Sequence, residues 1–167
     1  MPASLKSLLT MLVLLGLLVF GGLWGWHAFT QPLPKSADPP VCEDVSVAVG
    51  SKVYPEQVTV SVFNASTRAG LAGRTMDLFT AEGFGQGEMG NAPPGSDVSV
   101  AEVWADDVNS PDALLVRSYL GRRVEIKQQP SLGAGVTVLV GPDFEDLGKG
   151  RPAVKAGQDA TICSPPS

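Results

Sequence analysis

Apolar and polar positions change their period several times along this chain, and each change predicts an element. Residues 8–29 are apolar on every side and carry no charge while His27 is neutral. The run is close to the roughly twenty residues that a membrane helix needs. Trp24, Trp26 and Phe29 gather at one end of it, where aromatic rings favour the headgroup layer. A transmembrane helix is expected there. Residues 30–41 follow as a polar, proline-rich stretch that cannot continue a helix and stays extended as a stalk. At residues 58–63 the period drops to two. Val58, Val60 and Val62 alternate with Thr59, Ser61 and Phe63, as in a strand with one face on a core. Asn64-Ala65-Ser66 then offers side-chain oxygens to the free N–H groups of a helix start, and Ala69, Ala72, Met76 and Phe79 recur at spacings of three and four. Gly83 stops this helix, since only glycine enters the left-handed C′ conformation without steric cost.

The same reading extends to both sides. Val45, Val47 and Val49 alternate in a short edge strand, and residues 84–88 form a weak strand interrupted by Gly85 and Gly87. After a loop at residues 91–95, Val98, Val100, Val103 and Trp104 mark a strand over 98–105. Ser110-Pro111-Asp112 supplies an N-cap, a first-turn proline and a first-turn acid for a helix that runs to Leu120 and stops at Gly121. Residues 122–127 alternate as a surface strand. Residues 136–140, apolar but for Thr137, fit the sheet centre. From Glu145 onward no regular element is expected. The fold class is therefore α+β: a two-layer sandwich in the order β-α-β-β-α-β-β, with a mixed sheet, both helices on one face and the other face open to a partner.

Composition narrows the function. At 167 residues the chain holds a span and one domain of roughly a hundred residues. Of twelve Lys and Arg only Lys6 precedes Lys35, which leaves eleven against seventeen Asp and Glu beyond the span, a balance that argues against nucleic acid. The divisions expected are 1–7 in the cytoplasm, the span at 8–29, the stalk at 30–41, an outer domain at 42–163 and a tail at 164–167. A cleaved secretory signal competes with an anchor, because a leucine-rich run follows Lys6. The stretch after it, however, offers no small-x-small cleavage site. Cys42 and Cys163 are the only cysteines and bracket the outer domain. Two unrelated thiols are one reading. A disulfide in an oxidising compartment is the other, and it would hold down two flanks poor in apolar residues. Closing such a loop is worth up to about 4–5 kcal/mol in the chain-entropy description.

The stretch Phe63-Asn64-Ala65, followed by Ser66-Thr67-Arg68-Ala69-Gly70-Leu71-Ala72 and Glu82-Gly83-Phe84, resembles the LytR C-terminal domain family, as do Gly90-Asn91-Ala92, Ser110-Pro111-Asp112-Ala113 and Gly141-Pro142-Asp143-Phe144. The resemblance covers residues 57–144, with Ala65 where the family usually has glycine. It implies a non-catalytic, membrane-anchored, extracytoplasmic binding or scaffolding module for cell-envelope integrity or wall assembly, similar to small single-span actinobacterial proteins. The implied partners are the membrane together with wall-assembly proteins or wall polymers, with no cofactor. The alternative is direct glycan binding, in the manner of sporulation-related repeat domains, with Trp104, Phe63 or Tyr54 as stacking surfaces.

Few residues suggest chemistry. Asp106-Asp107 could serve acid–base work or a magnesium ion, but adjacent strand residues point to opposite faces and these precede ordinary turn formers. Asp143, Glu145 and Asp146 follow Gly-Pro turn chemistry in the same way. With the only histidine at position 27 and both cysteines assigned to a bridge, no histidine triad or zinc site can be assembled in the domain. Arg68 and Arg74 lie nearly opposite on a helix. The candidates that remain are Asn64 and Ser66, in a turn whose N–H groups could bind an anion, and Arg122 with Arg123 beside Lys127, a basic spot suited to phosphate-bearing polymers.

Overall fold

The computed structural model describes residues 3–30 and 41–166, and within the first segment the side chains of residues 10–26. The expected stalk lies, apart from its two ends, outside the described residues, as do the side chains of Lys6, His27 and Phe29. Two compact units make up the chain, Met1–Asp38 and Pro39–Ser167. The first contains one helix, α1 (Ala3–Thr30). Its described side chains form a stretch shorter than the roughly twenty residues of a span. Among the described residues, accordingly, no helix is long and apolar enough to cross a membrane.

The second unit is α+β. Its strands are β1 (Glu43–Val47), β2 (Lys52–Val53), β3 (Thr59–Asn64), β4 (Gly85–Asn91), β5 (Ala101–Ala105), β6 (Glu125–Gln128), β7 (Val136–Val140), β8 (Val154–Lys155) and β9 (Ala160–Ser164). Helix α2 (Leu71–Ala81) follows β3, and α3 (Pro111–Leu120) follows β5. The central sheet has the order β4-β3-β7-β5-β6. β7 lies parallel to β3 and antiparallel to β5, so the sheet is mixed. All five residues of β7 are buried, which is why that run needs no polar alternation.

Side-chain alternation sorts the layers. Val60, Val62, Val136, Val138 and Val103 point to one face and join a single core with Met76 and Phe79 of α2 and Leu115 and Val116 of α3. Both helices therefore lie on that face. The boundaries of α3 agree with the capping residues: Pro111 opens it, and Gly121, at φ 106°, closes it. Ser110 takes the N-cap position without making the cap hydrogen bond, and its buried hydroxyl finds no aligned partner among the described residues.

Several expectations are corrected. Helix α2 starts later than the polar turn suggested, after Gly70 in the left-handed region at φ 74°, so Asn64 and Ser66 do not cap it. β4 is the longest strand, not a weak one. Gly87 is required there because a Cβ would strike Ser61 and the Ala134 carbonyl, and Gly85 because it would strike Pro165. β5 begins at Ala101; residues 98–100 bend away to accept hydrogen bonds from Gly141 and Asp143. β1 is no edge of the main sheet. It pairs antiparallel with β9, and β2 pairs with β8, so the region beyond Glu145 contains two strands. These ribbons add Val47, Val53, Val154, Ala156 and Ile162 to the core.

A disulfide joins Cys42 to Cys163, with Cα atoms 5.4 Å apart, at the end of the β1–β9 ribbon. The second sheet face is not open either. Thr59, Ser61, Thr137 and Leu139 on it are fully buried. The loop before β7 covers them: Ser61 Oγ donates to the Ala134 carbonyl at 2.7 Å and accepts from Glu88 N at 2.9 Å, and Leu132 N donates to Thr137 Oγ1 at 3.0 Å.

Candidate functional site

The turn after β3 uses its own polar atoms. Asn64 Oδ1 accepts from Ser66 N at 2.9 Å and Ser66 Oγ at 2.8 Å, while Asn64 Nδ2 donates to the Arg68 carbonyl at 2.8 Å. Ser66 Oγ accepts in turn from Arg68 N. The Arg68 guanidinium clamps the turn after β7 by donating to the carbonyls of Pro142 and Phe144, both at 2.8 Å. These polar atoms hydrogen-bond to one another and build a closed loop.

The acidic pairs behave similarly. Asp107 accepts from Asn109 N at 2.9 Å and from Gln158 Nε2 at 2.5 Å, and Asp146 accepts from Leu147 N. Asp106, Asp143 and Glu145 are exposed. Among the described residues no three His, Cys, Asp or Glu side chains converge closely enough to hold a metal ion.

The aromatic residues proposed for sugar stacking are dispersed. Phe63 is buried, which removes it as a stacking surface. Tyr54 is 40% exposed beside a 3-10 turn at Pro55–Gln57. Trp104 lines a small cleft of about 300 Å³ with Pro93 and Pro94. Its indole N–H donates to Glu102, which also pairs with Lys127 Nζ at 2.5 Å. That hydrogen bond with Glu102 raises the pKa of Lys127 above the ordinary lysine range. Lys127 is thus engaged by Glu102 rather than standing as an unpaired charge beside Arg122 and Arg123.

Arg122 and Arg123 sit at the turn between α3 and β6. Together they line a cleft of about 640 Å³ that also contains Asp97, Glu102 and Glu125, so its charge is mixed. Arg122 belongs as well to a second cleft, of about 570 Å³, with Arg117, Ser118, Lys149 and Arg151. No carboxylate lines this one. The opposite arrangement occurs at the start of α3. Asp44, Asp106, Asp107, Asp112 and Asp159 line a cleft of about 560 Å³ without a lysine or arginine, next to Cys163. Burial there pushes the Asp112 carboxyl above the ordinary range, against the Ser110 hydroxyl and the Ala113 and Asp112 amides, which favour the charged form; Asp107 adds to the rise. The Ser110 hydroxyl is near enough to Asp112 to exert that influence without being aligned for a hydrogen bond.

The sequence singles out Arg122 as a candidate and gives no sign that Arg117, Lys149 and Arg151 share a cleft with it. Arg151 meets Ser118 across 33 residues, and no local pattern reports such a contact. The weak signal available was the alternation Lys149-Gly150-Arg151.

What results is a small α+β domain with charged clefts at the two ends of one helix. Residues 57–144, just over half of the chain, match the family described as LytR cell envelope-related transcriptional attenuator, and the chain belongs to that family. The match runs from the approach to β3 to just past β7 and leaves out both terminal ribbons. A solved structure, the soluble domain of a conserved hypothetical secreted protein from Mycobacterium marinum, is 18% identical, with a TM-score of 0.46 over 65% of this chain and 77% of that one. No curated protein matches the chain at a significant level.

Proposed function

We propose that the chain is a membrane-anchored, extracytoplasmic binding or scaffolding module that contributes to cell-envelope integrity and carries out no reaction of its own. The Cys42–Cys163 disulfide carries this reading, since such bonds persist in oxidising compartments outside the cytosol. Helix α1 supports the anchor. A helix apolar on every side needs a nonpolar surrounding, and each described side chain from residue 10 to 26 is exposed. Residues 8–29 then span the bilayer with the N-terminus in the cytoplasm, 30–41 form the stalk, and the domain at 42–163 works close to the membrane. The family description, cell envelope-related, supports that place. The partners are the membrane and wall-assembly proteins or wall polymers, and the excess of acids disfavours nucleic acid. Hydrolysis or group transfer needs a nucleophile, a tuned acid or base and a group that stabilises developing charge; binding needs none of these.

An alkaline phosphatase fused after Ser167 should be active, and the protein should remain with membranes at its full 17.4 kDa. A soluble product lacking residues 8–29 would end the anchor reading. Detaching the domain from the span should abolish an envelope phenotype that the double change Asp106→Ala, Asp107→Ala leaves intact. Loss of function in that folded double variant would favour an enzyme instead.

A further inference from the structure

The cleft at the C-terminal end of α3 carries charge of one sign, opposite to that of the aspartate-lined cleft at the helix's other end. Arg117, Arg122, Lys149 and Arg151 line it with no carboxylate, in a chain of net charge −5. Among the described residues the one ion pair is Lys127–Glu102, so none of the four cations is neutralised by a partner there. A helix C-terminus draws a cation through its dipole, which accounts for Arg117. It does not account for Lys149 and Arg151, which come from a later loop fixed over the helix end. Gly148 N donates to the Tyr119 carbonyl at 2.6 Å, and Arg151 N donates to Ser118 Oγ at 3.0 Å. Between these anchors Gly150 lies against the Tyr119 ring, so close that a Cβ would overlap it. The Tyr119 ring is itself packed edge-on against Phe84 at 5.1 Å, which resists its displacement. The loop is therefore held in place, and its two cations are presented to the same space as Arg117 and Arg122.

We infer that this cleft binds a multivalent phosphate group of an extracytoplasmic polymer, with the three guanidinium groups as planar forks and Lys149 as a point charge. Four cations with no ion-pair partner in the cleft call for an anion with more than one charge, and arginine forks match phosphate oxygens two at a time. The inference rests on the binding-module reading for its location and names that module's ligand class. Phosphate chemistry could come equally from a lipid headgroup. Beyond residue 30 the chain carries seventeen acids against eleven bases, and five aspartates line the cleft at the other end of α3, so the domain as a whole is not drawn to an anionic bilayer surface and the polymer is the source favoured.

Inorganic tripolyphosphate, titrated calorimetrically into the full chain in neutral detergent, tests this. Saturable binding that weakens with added salt is expected, and Arg122→Glu with Lys149→Glu and Arg151→Glu should weaken it by at least about tenfold. The charge-matched control Lys52→Glu, Arg74→Glu, Lys155→Glu, whose sites are all exposed and outside the cleft, should keep most of it. No binding, an equal loss in the control, or equally tight binding of oligoglutamate would overturn the inference. Short-chain phosphatidylglycerol below its micelle concentration should bind at least about tenfold more weakly than tripolyphosphate; tighter binding would make the source a lipid headgroup and overturn the assignment to a polymer. If the cleft variant binds nothing and still supports the envelope while the detached domain does not, the ligand assignment fails and the anchored-module reading stands.

Discussion

The central sheet and the two terminal ribbons hold together by different means. In the sheet, β7 lies between two partners with every residue buried, and a wall of valines packs beneath both helices. Four of the five residues of β1 are exposed, β2 and β8 have two residues each, and the disulfide fastens the ends. One region is stabilised by apolar area removed from water, which β-branched alternation encodes locally. The other adds only a few residues to the core, Val53 and Ile162 the most buried of them, and is held as well by cross-linking residues 121 positions apart, which no local pattern encodes. The difference implies two levels of local stability within one compact unit.

Damage to the sheet side should have the largest effect. Phe79 is almost fully buried and meets Phe84 edge-on at 5.3 Å. Phe79→Ala should cost about 3–5 kcal/mol, lowering protection of the whole domain in hydrogen exchange. If only α2 became less protected, the domain would not unfold as a unit.

The disulfide comes next. Cys42→Ser with Cys163→Ser should cost about 2–4 kcal/mol, with the loss concentrated in the ribbons. Amides of β1 and β9 should exchange well before those of β3 and β7, and proteases should cut the flanks first. Equal acceleration in ribbons and sheet would erase the distinction between the two regions.

Much of the sheet was legible because its signals are local. The five-residue run of β7 and the residues bounding α3, Ser110-Pro111 and Gly121, placed two elements at their observed limits. β4 was misjudged because Gly85 and Gly87 were read as weak strand formers, when other chain segments press on them from above. The turn at Asn64 was misassigned because a cap and a closed turn use the same side-chain oxygens. Only the position of Gly70 distinguishes the two here. The alternation at Val45 and Val47 marked β1, but its pairing with β9, the other ribbon and the basic cleft were not legible, since each joins residues far apart in the chain. Arg117 and Arg151 become neighbours only once Gly150 has settled on Tyr119.

Gly150 seats the loop between β7 and β8 on α3 and gives a more modest effect. Gly150→Ala should cost about 1–3 kcal/mol through overpacking against the Tyr119 ring. It should also loosen the loop that carries Lys149 and Arg151, so tripolyphosphate binding should weaken although no charge is altered. Unchanged stability would show that the ring can move, and that the loop is less firmly held than the backbone hydrogen bonds imply.

The smallest effect is expected at Asp112, where the acidic cleft meets the first turn of α3. The helix N-terminus and the Ala113 amide, which donates to Oδ1 at 2.9 Å, both favour a charged carboxylate, yet burial outweighs them and raises the pKa. A carboxyl that is harder to ionise in the folded state than in the unfolded chain makes the native protein bind more protons between the two pKa values, so its contribution to stability falls as pH rises through that window. The window opens at the ordinary aspartate value of about 3.9 and closes at the raised native value. Asparagine at this position keeps the side-chain carbonyl that accepts from Ala113 and removes the charge. Urea midpoints of Asp112→Asn and the parent, compared from pH 3 to pH 7, should therefore diverge in favour of the variant as pH rises, while the other carboxylates, common to both, cancel. A gap that stays constant or reverses would mean that the cleft is wetter than its burial indicates, and that the helix dipole, not desolvation, sets the ionisation of Asp112.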